Sequence, residues 1–469
     1  MHKLSFILFI LFACLFSSLR ASGEICTITT GEQGNETDDC PALHDCIDNQ
    51  CKHKDIFPLE GREIFGGLLI MVLSGFANAG GIGGGSILTP ILLTIYGYTA
   101  NKAIMIVYVL IFGGSLGNFL NVAFQRDIRT GKPIILYDFA LMVTPLMLLG
   151  SNVGVLLNKM IAPAITICGL LYLVATTGKK IYARAKTSYE KETQMLQKPL
   201  IDSSSPQKVG ESLELSPLKN KSNAIDGQPE IPQELEVLLE EEKSFLPKSR
   251  IVFLGCLMAF VLMVIILKGT DKFDSVLGIG YCSFGYWIWF IMGLIGCYFF
   301  YHKGLNLVKY KDEIKKRYNF KQQDFRISDE NIKTIERLGI VAGVLRALLG
   351  IGGGMILGNP MLGMGIGAQN MTATCGLFVV LTSFVNLVQA FLMGGITTSE
   401  ITFFFLTSSI GSYLVSSGLT WFVKKYQRPS ILLFSLAGIM GITLVVLPLF
   451  TLYKTISNPG QMLQFHSPC

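Results

Sequence analysis

Two glycine runs and one arginine are the residues of this sequence best placed to do chemistry. Gly80-Gly81-Ile82-Gly83-Gly84-Gly85 and Gly350-Ile351-Gly352-Gly353-Gly354 each lie between two short apolar stretches. Glycine keeps no side chain between backbone and ligand and adopts positive φ freely. Each run can therefore break a helix and turn N–H groups toward a small anion. The helix resuming at Ser86 or Met355 adds a positive dipole end. Arg346 lies in the otherwise apolar Leu338–Leu349, four residues before the second run. Within a membrane segment an arginine costs at least ~2.5–3.5 kcal/mol on insertion scales, so it usually faces a cavity or a partner. Its fork of donors suits carboxylate, sulfonate or sulfite oxygens. The expected binding set is Gly83, Gly84, Gly85, Ser86, Asn118, Arg346, Gly352, Gly353, Gly354 and Asn386. Thr89, Asn101, Ser115, Asn359, Asn370, Thr372 and Ser383 could complete the lining. The competing readings are close helix packing through small residues, and an arginine snorkelling to the interface. Neither run is followed by the Gly-Lys-Ser/Thr of a phosphate-binding loop.

The composition says what must position these residues. Of 469 residues half are hydrophobic and only 15% charged, against about 25% charged in soluble proteins; the mean hydropathy is +0.49. Residues 179–250 and 301–337 hold 40 of the 72 charges. The rest is mostly apolar blocks of about 20 residues, the length that crosses a ~30 Å hydrocarbon core as helix. A soluble enzyme, a disordered protein and a nucleic-acid binder are poor fits. The net charge of +6 is weak support for an anionic partner, because cytoplasmic Lys and Arg also set topology. The five histidines lie outside the apolar blocks, and no enzyme constellation or cofactor site is expected.

The blocks form an internal repeat. Gly81–Leu88 lies over Gly350–Leu357 at an offset of 269, Asn101 over Asn370 at the same offset, and Ser115 and Asn118 over Ser383 and Asn386 at 268. Loop charges give the orientation. The 125–133 loop has three basic residues and its counterpart 394–400 none, whereas 158–163 has one and its counterpart 424–429 three. Equivalent loops thus face opposite sides, and the copies are inverted, as in many secondary transporters. The expected fold is an all-α polytopic membrane protein of two inverted-topology repeats, 64–178 and 335–453, each with a glycine-broken re-entrant helix pair. Two linking transmembrane helices over 251–300 complete the membrane part.

Met1–Ser22 reads as a secretory signal, or failing cleavage a signal anchor, and places 23–63 outside the cytosol. Cys26, Cys40, Cys46 and Cys51 there suggest two disulfides in any of three pairings, a zinc site being less favoured; Asn35 heads a glycosylation sequon. Cys168, Cys256, Cys282, Cys297 and Cys375 stand singly in apolar segments and read as packing residues. Residues 179–250 read as a disordered cytoplasmic loop, 301–334 as a basic cytoplasmic loop and 454–469 as an extracytosolic tail. Glu234-Leu235-Glu236-Val237-Leu238-Leu239 has the spacing of an acidic dileucine sorting signal, or of a short amphipathic helix.

A glycine run in the first helix of each half, followed by a proline (Pro90, Pro360) and a polar-flanked second helix, resembles the TauE/SafE family of sulfite exporters. The likeness covers roughly 64–178 and 335–453. The signal, Cys-rich segment and long central loop look like those of eukaryotic, protist-type members. The resemblance implies export of sulfite, organosulfonates or related organic acids; it is barely specific for substrate. The expected partners are a small anion and the bilayer, with a coupling ion left open and no nucleic acid, in a plasma or endomembrane. The alternative is a non-transporting receptor or scaffold on the same fold.

Overall fold

The computed structural model describes residues 56–98, 100–127, 131–197, 233–270, 275–318, 329–349, 354–393 and 395–457, with the backbone of five short strands upstream. The helices are α1 (Gly61–Ala79), α2 (Gly85–Thr94), α3 (Ala100–Val122), α4 (Tyr137–Met160), α5 (Pro163–Gln197), α6 (Gln233–Lys243) and α7 (Lys248–Lys268). They continue with α8 (Phe284–Arg317), α9 (Asp329–Leu349), α10 (Gly354–Gly363), α11 (Ala368–Met393), α12 (Thr398–Tyr426) and α13 (Ser430–Ser457). Seven of the described helices are long and apolar enough to cross a membrane: α1, α3, α4, α7, α8, α11 and α12. The chain is a helical multi-pass membrane protein.

Local chemistry sets the boundaries. Glu60 and Glu63 form a capping box at the start of α1, Glu63 Oε2 accepting from Glu60 N at 2.9 Å. The helix stops at Ala79 because Gly81, Gly83 and Gly84 adopt φ of 72°, 83° and 74°, values that cost a residue with a Cβ ~1 kcal/mol or more. Gly84 then caps α2. Thr397 and Glu400 repeat the capping box at α12.

Contacts cross between the 64–178 and 335–453 segments. The helix α1 packs against α12, and α9 packs against α4. Likewise α2 meets α13, and α10 meets α5. The matched helices α3 and α11 meet each other, as do α5 and α13. The crossed pairs approach closely through glycine. A Cβ on Gly150 would lie 2.2 Å from Ile340 O, one on Gly343 2.2 Å from Met147 O, and one on Gly411 2.4 Å from Met71 O. Small residues let membrane helices gain packing contacts that lipid exclusion does not supply.

Two expected loops differ. Residues 179–197, read as disordered, continue α5, and 233–243 form α6; 198–232 lie outside the described residues. The stretch 179–197 has no Gly or Pro and buries Ile181 and Ala185 completely. Its Glu192 accepts from Ser430 N at 3.0 Å, so a carboxylate meets the first turn of α13, where the helix dipole favours it. Residues 301–317, read as basic loop, are the end of α8 and bury Lys311 and Lys315.

Upstream, β1 (Glu24–Ile25), β5 (Gln50–His53) and β4 (His44–Ile47) form one antiparallel sheet, and β2 (Ile28–Thr30) pairs with β3 (Glu36–Asp38). Cys46 stands opposite Cys51 in the β4–β5 register. The signal segment, the sequon at Asn35 and the side chains of Cys26, Cys40, Cys46 and Cys51 lie outside the described residues. Cys282 is not the packing residue expected: it is disulfide-bonded. Cys168, Cys256, Cys297 and Cys375 are free.

Candidate functional site

The first glycine turn is held from several sides. Asn118 on α3 donates Nδ2 to Asn78 O at 3.0 Å, and Gly81 N also donates to that carbonyl at 2.9 Å. Ser416 on α12 donates to Asn118 Oδ1 at 2.7 Å. One turn earlier, Ser74 Oγ lies 2.5 Å from Ser408 Oγ, which also bonds Leu110 O. Ser74, Asn78, Ser408 and Ser416 are buried and were not marked by the sequence, because a lone Ser or Asn in a helix carries no pattern of its own. The signal that could have found them is their clustering near the glycine break on crossed helices.

The first glycine turn meets the start of α10. A Cβ on Gly354 would lie 2.0 Å from Gly81 O and 2.8 Å from Cys375 Cβ, and one on Gly81 would lie 2.7 Å from Cys375 Cβ. Thus the start of α10 abuts the turn between α1 and α2, with Cys375 of α11 against both. Gly83, Gly84 and Gly85 are buried at the start of α2, and Ser86 is half-buried. Gly352 and Gly353 lie outside the described residues. Asn386 is half-buried on α11.

Beside the first turn is a cavity of about 390 Å³, its mouth included, whose walls include Ala79, Asn118, Gln125, Gln369, Thr372 and Ser416. The polar groups of this otherwise apolar wall are amides and hydroxyls, so the cavity offers hydrogen bonds without charge. Arg346 lines neither this cavity nor the one described below. It sits one turn before the second break and donates Nη1 to Ser151 Oγ on α4 at 3.3 Å, with Tyr108 of α3 within electrostatic reach. Four cations are buried among the described residues: Arg250, Lys311, Lys315 and Arg346. The first three have carboxylates within 4 Å; Arg346 has none among the described residues.

At the far ends of α4, α7 and α8, Asp138 Oδ1 lies 2.9 Å from Arg250 Nε and 3.5 Å from Lys311 Nζ. Helix α6 closes this group: Glu242 lies 2.5 Å from Lys315 Nζ and 3.2 Å from Lys132 Nζ, and Glu241 3.7 Å from Lys311 Nζ. Burial pushes the Glu242 carboxyl up, but Lys315 and Lys132 outweigh it and hold it below the ordinary range. Leu238 of α6 is buried beside Ile314 of α8, so the dileucine-like stretch lies within a docked helix.

Apolar helices long enough to span, interrupted by glycine and packed around a small cavity, define a polytopic helical membrane protein. Comparison with known proteins makes this specific. The family model of the sulfite exporter TauE/SafE matches residues 1–180. Sulfite exporter TauE/SafE family protein 2 of Arabidopsis thaliana is 25% identical, the match covering 87% of each chain. Family protein 5 of the same plant is 24% identical over 88% of each, and family protein 6 is 25% identical along the whole of both. No solved structure matches significantly. On these matches the chain is similar to TauE/SafE family proteins along most of its length.

Proposed function

We propose that the protein is a secondary transporter of small anions such as sulfite, organosulfonates or related organic acids. It works by alternating access around a midplane site between the two glycine-broken helices. The observation that carries this reading is Arg346: a cation 8% exposed, four residues before the second glycine run, with a hydroxyl for company and no carboxylate among the described residues. A buried charge left uncompensated is strongly destabilising, so its persistence fits a site whose missing counter-charge is the cargo. The N–H groups of Gly83, Gly84, Gly85 and Ser86 and the matching start at Gly354 add positive dipole ends. Asn118 braces the first turn, and Asn386 is its counterpart in the second copy.

Inverted repeats are supported by the exchanged packing of α1–α12 with α9–α4 and by the opposite loop charges. With each glycine-split pair entering and leaving on one face, the 125–133 and 424–429 loops and the 179–250 segment fall inside. The loop before α8 then falls outside, and a disulfide at Cys282 suits the oxidising side.

The test is flux of labelled sulfite, sulfate and a small organosulfonate in proteoliposomes, wild type beside Arg346→Gln. Saturable wild-type flux, lost in the variant, is the expected result. Normal flux in Arg346→Gln overturns the site, and no flux of any anion from folded protein overturns the transport reading in favour of a receptor or scaffold.

A further inference from the structure

We propose that the cavity between α4, α7, α8 and α11 is a second anion site, separate from the transport path, that takes a doubly charged phosphate group, and that Glu241 and Glu242 of α6 are its tethered competitor. The cavity holds about 820 Å³, its mouth included, and Lys132, Arg250, Lys311 and Lys315 line it. Arg250 and Lys311 are 4% and 7% exposed. Arg250 Nε and Nη2 and Lys311 Nζ make no hydrogen bond of good geometry; Arg250 is ion-paired with Asp138 Oδ1, and Lys311 with that same oxygen and, at 3.7 Å, with Glu241 of α6. Buried donors of this kind are costly unless something accepts from them.

Charge counting selects the ligand. The other carboxylate in the wall, Asp312, is held by Lys316 at 2.6 Å. Without α6, Arg250, Lys311 and Lys315 face Asp138 alone among the ion pairs of the described residues. The two carboxylates of α6 restore the balance, so a ligand that displaces them must bring about two negative charges. A phosphate monoester carries about −1.5 to −2 at pH 7 with three acceptor oxygens, whereas chloride or a simple carboxylate brings one charge. The guanidinium fork of Arg250 suits such a group. Basic pockets between membrane helices on the cytoplasmic side take phosphoinositide head groups, and a free phosphate ester offers the same chemistry. Either source would free α6 and expose Leu238.

The experiment uses the full-length protein in phosphatidylcholine nanodiscs. Tritiated inositol trisphosphate is titrated in solution, and in parallel a spin label on α6 reports its release when the nanodiscs contain phosphatidylinositol bisphosphate. Wild type is expected to bind, Glu241→Gln/Glu242→Gln to bind about tenfold tighter because the competitor is gone, and Arg250→Gln/Lys311→Gln to bind at least ~tenfold more weakly. The gain in the glutamine pair cannot come from misfolding. Binding in solution alone assigns the site to free phosphates, and release by the lipid alone assigns it to head groups; both support it. No binding or release with either source in wild type and Glu241→Gln/Glu242→Gln overturns the site. An affinity unchanged by the glutamine pair overturns the competition, and one unchanged by Arg250→Gln/Lys311→Gln overturns the assignment. None of these outcomes depends on flux.

Discussion

Ser115 and Ser383, which occupy matching places in the two copies of the repeat, lie Oγ to Oγ at 3.3 Å across α3 and α11. On the proposed inverted-repeat reading, a residue touching its own counterpart lies at the two-fold axis that relates the halves. If transport rocks one repeat against the other, a Ser115→Cys/Ser383→Cys pair should cross-link on mild oxidation, stop flux, and recover on reduction. Cross-linked protein that transports at the normal rate would show that the halves do not move against each other here.

The contact of the first glycine turn with Gly354 gives a stability prediction. Gly354→Ala and Gly81→Ala force a Cβ onto backbone or onto Cys375, and Gly81 adds a φ of 72°. Each should cost about 1–3 kcal/mol or more, read as a lowered melting temperature in detergent. Gly255→Ala, which meets nothing within 4 Å, should leave it unchanged. Equal melting points for all three would mean that the turns are not closely packed.

Arg346 separates stability from function. A structural arginine loses stability when replaced, whereas one kept for a ligand gains it. Arg346→Met should raise apo stability by about 1–3 kcal/mol and abolish flux together with any stabilisation by sulfite. A variant less stable than wild type would mark Arg346 as a packing or capping residue.

The docking of α6 has a defined pH dependence. The Glu242 carboxyl is held below its usual 4.5 in the folded protein, and Glu241 is lowered too: burial raises it, but Ser249, Lys311 and Arg250 outweigh that. A group with a depressed folded value contributes stability above its unfolded value and loses it as pH falls through the folded one. Protease resistance of 233–250 should therefore hold from about pH 7.5 to about pH 5 and fall only below the ordinary carboxylate range. Glu242→Gln should lose it at neutral pH. Resistance that fails near pH 6 in wild type would mean a histidine, not these carboxylates, controls docking.

The spanning helices, the first glycine break and the place of Arg346 in an apolar helix were legible from the order of residues, because they depend on chain-local facts. Apolar length decides spanning, glycine φ freedom decides where a helix ends, and a lone charge in an apolar block stands out by type. The first break falls between Ala79 and Gly85 as its glycines require. Tertiary structure decided what these features touch. That Asn118 reaches Asn78 O and Ser416, that Gly81 O meets Gly354, and that Arg346 turns to Ser151 rather than to either cavity, depends on which helices cross. Crossing is set by side-chain packing between distant segments, such as those of Asn118 and Ser416, 298 residues apart. The cytosolic charges were the least legible. Lysines and glutamates that read as solvated loop lie on extended helices, and Lys315 and Glu242 are buried because each supplies the counter-charge that the other needs away from water.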